Sequence, residues 1–221
     1  MSLLANLTTD DTIETEKDSV GSGGVLNSGL YPSTISMAYL QKSAGGALGL
    51  VLRAKTEDGR GIRSTLWVTS GTAKGCKNYY EKDGVKNYLP GFNLANSLSL
   101  LTVGKEISEL EPETKVVRVY SPEAKAEVPT KVDVLVDLLN QEVLVGLIKQ
   151  TVDKTVKNDA GAYVPTGETR EENEVDKFFR ARDRMTTAEI RAQTAEASFA
   201  DLWSDKWTDK VRNKATGGSG A

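Results

Sequence analysis

From Ser33 to Lys42 the chain alternates Ile35, Met37 and Tyr39 with serines and a threonine. A period of two predicts a strand with one buried face. The small-residue run SAGGALG breaks it, and LVLRAKT (50–56) resumes as a second strand. EDGRG (57–61) reverses the chain, and IRSTLWVTS (62–70) forms a third strand with β-favouring Ile62, Thr65, Trp67 and Thr69. In the polar stretch that follows, Tyr79 and Tyr80 on one side and Val85 to Tyr88 on the other flank Glu81, Lys82, Asp83 and Gly84. The Asp-Gly pair predicts a tight hairpin, ended by Pro90 and Gly91. In NLANSLSLLTVG, Leu94, Leu98 and Leu101 recur at helical spacing and Gly104 is a stop signal. A helix there would plug one end of a small barrel.

The second half continues in the same manner. KVVRVYS (Lys115–Ser121) reads as a strand, and Pro122 and Pro129 bracket a loop. KVDVLVDLLNQ (131–141) reads as a helix with Val132, Leu135, Val136 and Leu139 on one face, and its alternating valines also fit a strand. EVLVGLIKQTVDKTVK (142–157) is the longest strand, NDAGAYVPTG is a turn, and TREENEVDKFFRA returns with Val175, Phe178 and Phe179. The pattern predicts a mainly β fold, an OB-like small Greek-key β-barrel with one or two short helices, over residues 30–181. Residues 1–29, with the acidic TTDDTIETEKD and the hinge VGSGG, read as a flexible arm. Residues 182–221 read as a polar tail, partly helical, ending in a disordered ATGGSGA.

Composition narrows the chemistry. An apolar share of 38% in 221 residues is enough for one core with polar ends. The absence of His removes imidazole acid–base catalysis, the Ser-His and Cys-His nucleophile systems, and the common zinc ligand sets. Cys76 is the one cysteine, so no internal disulfide forms and a reducing compartment fits. The start of the chain lacks the basic-then-apolar pattern of a leader, and no apolar run approaches the ~20 residues of a membrane span. The host cell cytoplasm, no membrane association, no metal and no cofactor are the expectations. The run Gly71 to Gly75 lacks phosphate-loop spacing. The carboxylates Asp10, Asp11, Glu171, Glu172, Glu174 and Asp176 are the kind of groups metal-dependent nucleases use, but Glu174 and Lys177, three apart on a strand, do not share a face. Cys76, beside Lys74 and Lys77, has no resolving partner and reads as a plain surface thiol.

Charge is uneven. The whole chain carries a net charge of −3, yet Lys42 to Tyr88 holds Lys42, Arg53, Lys55, Arg60, Arg63, Lys74, Lys77, Lys82 and Lys86 against only Glu57, Asp58, Glu81 and Asp83. Tyr39, Trp67, Tyr79, Tyr80 and Tyr88 lie in or beside the same third. Cations that follow phosphates, interleaved with rings that stack on unpaired bases, are what single-stranded nucleic acid requires. The candidate contacts are Tyr39, Lys42, Arg53, Lys55, Arg63, Trp67, Lys74, Lys77, Tyr79, Tyr80, Lys82, Lys86 and Tyr88. Phe199, Trp203 and Trp207, four apart, form one face of a candidate partner-docking helix; packing on the protein's own body is the competing reading.

The runs AYLQKSAGGALGL, IRSTLWVTSGTAKGCKNYYEKDGVKNYLPGF, LLTVGKEISEL, EVPTKV and VKNDAGAYVPTGETREENEVDKFF resemble a group of bacteriophage single-stranded DNA-binding proteins over about residues 27–182. The resemblance implies an OB-type barrel, single-strand binding without strong sequence preference, and a part in viral DNA replication and recombination. It places the family's basic-aromatic stretch on Arg63, Trp67, Lys74, Lys77, Tyr79, Tyr80, Lys82, Lys86 and Tyr88. Many such proteins end in an acidic tail closing on an aromatic residue, whereas this chain ends in GGSGA, and its nearest substitute is SFADLWSDKW. The expected partners are single-stranded DNA, further copies of the chain along that strand, and phage or host replication proteins at the C-terminal segment. The alternative is a non-catalytic interaction hub of a phage replication complex.

Overall fold

The computed structural model describes residues 24–121, 123–159 and 163–216. In chain order the elements are β1 (Gly29–Lys42), β2 (Leu48–Thr56), β3 (Gly61–Trp67), β4 (Tyr79–Lys82), β5 (Val85–Tyr88), α1 (Pro90–Thr102), β6 (Glu113–Ser121), β7 (Ala126–Val134), β8 (Glu142–Lys157), β9 (Tyr163–Arg180), α2 (Thr187–Arg191), α3 (Phe199–Trp207) and β10 (Val211–Asn213). The fold is mainly β. One eight-stranded sheet is antiparallel except where β10 runs parallel to β8, and β4 and β5 form a separate hairpin.

Period-two patterning builds the core. Leu50, Leu52 and Ala54 of β2 and Ile62 and Leu66 of β3 face inward with Ile35 and Ala38 of β1. Across from them lie Val143, Val145 and Leu147 of β8, Val175 and Phe178 of β9, and Ala95, Leu98 and Leu101 of α1. The path β3-β2-β1-β8-β9 curls around this core and does not close. No ladder joins β3 to β9 among the described residues, and α1 packs on both strands across the gap. Pro90 opens α1, where its missing N–H costs nothing. At the other end Gly104, at φ +75°, donates its N–H to the Ser99 carbonyl.

The sheet's outer surface is covered in two places. The β6–β7 hairpin lies over β1 and β2, where Tyr39, Val51 and Val134 pack with Val117, Val119 and Val132. Beyond β8 and β9, α3 seats Ala200 and Trp203 on Leu144, Ile148 and Phe179. The Trp203 indole N–H donates to Asp176 at 2.8 Å, and β10 pairs with Lys149 to Thr151 of β8.

Two expectations are corrected. Residues 131–141 are not a helix, because β7 runs from Ala126 through Val134 and a single 3-10 turn follows at Val136–Leu138. Val132 and Val134 obey the two-residue period, and Pro129 is tolerated because β7 pairs only β6 at that point, leaving its other edge open. Residues 182–216 are not a tail but two helices and a strand docked on the sheet. At the other end, Leu26 is buried and exchanges two hydrogen bonds with Asn173, so the arm's last residues are part of the fold. The acidic run at 8–18 and residues 217–221 lie outside the described residues. No described helix is long and apolar enough to cross a membrane.

Glu189 organises the C-terminal segment. Its carboxylate accepts from Thr186 N–H and hydroxyl at the start of α2, and from Ser198 and Phe199 N–H at the start of α3. Burial pushes its pKa up, but these bonds outweigh burial and hold it down at about 2. The depressed value means that its stabilisation is complete above the ordinary carboxylate range and is lost as pH falls toward about 2. Glu189→Ala should cost about 0.5–2 kcal/mol at neutral pH, as helix-cap losses do, and flatten the wild type's loss of stability between the ordinary carboxylate range and about pH 2. Trp203→Ala should cost about 3–5 kcal/mol. Urea denaturation midpoints as a function of pH check both.

Candidate nucleic-acid interface

Between the two covers, the outer face of β3 and the Lys55 end of β2 carry exposed side chains, while Val51 and part of Arg53 lie under the β6–β7 hairpin. Strand register decides what stands there. Arg53 is opposite Arg63, Val51 opposite Thr65, and Gly49 opposite Trp67, while Lys55 shares the outward parity of Arg53. Arg63, Lys55 and Trp67 are exposed, Trp67 at 40%. Arg63 and Trp67, four residues apart on one strand, are separated by about 13 Å at the usual rise of a strand.

Trp67 is held flat by a missing side chain. A Cβ on Gly49 would come within 2.9 Å of the indole carbons Cε3 and Cζ3. The ring therefore lies on the bare backbone of β2 and keeps its other side for solvent. Gly91, at the start of α1, approaches the Trp67 backbone so closely that a Cβ would clash with the Trp67 carbonyl oxygen and backbone nitrogen. Beside Trp67 opens a cleft of about 690 Å³ bordered by Thr65, Ser70, Lys74, Pro90 and Leu94.

The second group is the β4–β5 finger. Asp83 and Gly84 both take positive φ, 52° and 75°, the geometry of the two-residue turn their sequence implies. Backbone bonds from Ser70 N–H to Lys77 and from Leu89 N–H to Asn78 anchor its base. Pairing of Tyr79 with Tyr88 and of Tyr80 with Asn87 places the adjacent tyrosines on opposite faces. Tyr79 is covered by Lys77 and Lys86, whose ammonium nitrogens stand 5.5 and 5.2 Å from its ring centre. Tyr88 stacks on Phe92 at 4.8 Å yet stays 56% exposed, and Tyr80 is 45% exposed.

Most cations of this region are free of ion pairs with the described residues. Lys42, Lys55, Arg63, Lys74, Lys77, Lys82 and Lys86 have no ion-pair partner among the described residues. Only Arg53, with Glu127 at 3.4 Å, and Arg60, with Asp58 at 2.5 Å, do. Arg60 is committed to its turn: its hydrogen bond, with a further one from the Thr56 hydroxyl, holds Asp58 at about 2. On β8, β9 and just beyond β10, by contrast, several acids are paired. Lys149 pairs with Glu171, Arg170 with Glu172, Arg212 with Glu174 and Asp176, and Lys214 with Glu174. The carboxylates singled out in the sequence there are thus engaged by the protein's own cations. Among the described residues no group of three or more acidic or cysteine side chains is arranged to hold a metal.

Not every expected contact belongs here. Tyr39 is 1% exposed under the β6–β7 hairpin and is corrected to a core residue, since its ring already packs on Val51 and Val134. Lys42 ends β1 on the parity of Ala38 and Leu40, opposite the face of Arg53. Trp203 is likewise buried, and Trp207 stacks with Arg212 at 5.6 Å, so most of the supposed docking face is occupied within the molecule. Phe199 remains 40% exposed, with its ring centre 6.3 Å from that of Phe179. Sequence reasoning missed Gly49 and Thr65. A glycine inside a strand is the signal for close approach that would have found the first.

No protein-family model and no curated protein sequence matches this chain.

Gly49→Ala should force the Trp67 ring off the sheet and cost about 1–3 kcal/mol of stability, the usual penalty of overpacking. A shifted Trp67 emission maximum, read in a background where Trp203 and Trp207 are phenylalanine, checks it.

Proposed function

We propose that this protein binds single-stranded DNA without catalysis or strong sequence preference, on the outer face of β2 and β3, with the β4–β5 finger as a second contact. One observation carries the reading: Arg53, Lys55, Arg63 and an exposed indole share one face of the β2–β3 pair, and among the described residues no carboxylate pairs with Lys55 or Arg63. Exposed cations without ion pairs attract a polyanion and release its counterions. Exposed rings offer stacking surface to unpaired bases, which a duplex hides.

The architecture supports an OB-type assignment. A meander of three strands, a helix, and later strands that return to pair β1 form a curled, partly open sheet. In OB folds the face of the second and third strands is where oligonucleotides lie, and here that face presents Lys55, Arg63 and Trp67 to solvent. The phage proteins that the sequence resembles suggest the setting: protection and organisation of single strands during viral replication and recombination.

A fluorescence titration with oligo-dT at several salt concentrations tests this. Affinity should fall steeply with salt, and quenching should vanish in Trp67→Phe. Trp67→Ala should weaken binding by about 1–3 kcal/mol with the salt slope unchanged. Arg63→Ala should weaken it and reduce the slope by about 0.7, the value for one single-strand phosphate. Salt-independent binding, or undiminished quenching without Trp67, would overturn the proposal.

A further inference from the structure

The β6–β7 hairpin reaches into the proposed interface at one point. Glu127, near its tip, sits 3.4 Å from the Arg53 guanidinium. This is the one ion pair, among the described residues, made by any outward cation of β2 or β3 beyond the turn pair of Arg60 and Asp58. It ties together two elements far apart in sequence.

The seat beneath the hairpin is incompletely satisfied. The Tyr39 hydroxyl and the Arg53 Nε–H are both buried without a hydrogen-bond partner among the described residues. Tyr39 lies opposite Val51, and Arg53 is two residues along the same face of β2, so the two orphaned groups lie under the same cover. Buried polar atoms without partners oppose the arrangement that buries them. The hairpin's ladder to the sheet is also short, confined to Tyr39 with Val134 and Leu40 with Asp133. Apolar packing from Val117, Val119 and Val132 holds it down. A carboxylate on a guanidinium has the charge and hydrogen-bonding character of a phosphate oxygen in the same place.

We propose that the β6–β7 hairpin is an autoinhibitory latch, in which Glu127 occupies Arg53 in place of a nucleic-acid phosphate and is displaced when a single strand binds. The proposal rests on the β2–β3 reading. Binding exchanges one anion for another on Arg53 and releases the hairpin tip, giving the orphaned donors access to water.

Oligo-dT binding by Glu127→Gln, measured at low salt against wild type, tests it. The amide should bind about two- to fivefold tighter, the range expected for removing a competing surface ion pair. In an Arg53→Ala background the same change should give no gain. Glu113→Gln, which removes an equal charge from the Lys115 pair on β6, controls for net charge and should leave affinity nearly unchanged. Hydrogen exchange across residues 117–134 should quicken on saturation with oligo-dT. Equal affinity of E127Q and wild type, a gain that survives without Arg53, an equal gain in the Glu113 control, or exchange unaltered by oligo-dT would each overturn the latch while leaving the interface standing. Failure of wild type and variant alike to bind oligo-dT would instead remove the interface, and the latch with it.

Discussion

The alternation of side chains across β1, β2 and β3 is the constraint from which the rest follows. Leu50, Leu52 and Ala54 are buried because the core of α1, β8 and β9 lies on that side, and the same register turns Gly49, Arg53 and Lys55 outward. A slip of one residue would bury a guanidinium and an ammonium without partners and expose the leucines. The cost of burying charge therefore fixes the composition of the outer face as firmly as it fixes the core. Two local features pin that register. A shift between Ile35 and Met37 changes the pairing of β1 partway along, and Gly49 accepts the ring of Trp67 where any other residue would collide with it.

A curled sheet that does not close leaves edges and faces to be managed. Here each is handled by a different segment: α1 spans the gap between β3 and β9, β10 takes part of the free edge of β8, α3 covers the outside of β8 and β9, and β6–β7 covers the outside of β1. The exposed part of the β2–β3 face carries Lys55 and Arg63, which have no ion-pair partner among the described residues. The C-terminal segment thus completes the fold on the flank opposite the proposed interface. Glu189 joins the starts of two short helices that have little means of standing alone, since helices this short are marginal without tertiary support.

Much of the fold was legible in the sequence, because the β1–β3 meander, the Asp83-Gly84 hairpin, α1 and the long β8 strand each rest on a local signal. The errors came where two periods overlap or where burial is decided at long range. Val132, Leu135, Val136 and Leu139 satisfy a helical spacing, and only the partner strand β6 selects the extended form. Trp203 and Tyr39 show the same limit in the site. An aromatic residue on an amphipathic pattern has the same sequence signature whether its cover is a base, a partner protein or a hairpin distant along the chain. The outward placement of Arg63, Lys55 and Trp67 was legible because strand alternation alone fixes their side, once Leu66 and Ile62 are known to be inside.

A net charge of −3 does not by itself oppose the polyanionic partner proposed here. At physiological salt a charge is felt over about 8 Å, so distant acids weigh little against the cations that a bound phosphate would touch. The acids of β9 are moreover matched by Lys149, Arg170, Arg212 and Lys214, and their field is largely cancelled at the source. Along β2, β3 and the β4–β5 finger, Lys55, Arg63, Lys82 and Lys86 lack such matches among the described residues, although the molecule is acidic overall. Under the proposed function, a single strand that met this face would find exposed rings beside cations with no carboxylate to displace, so stacking and phosphate contact would reinforce each other at one place.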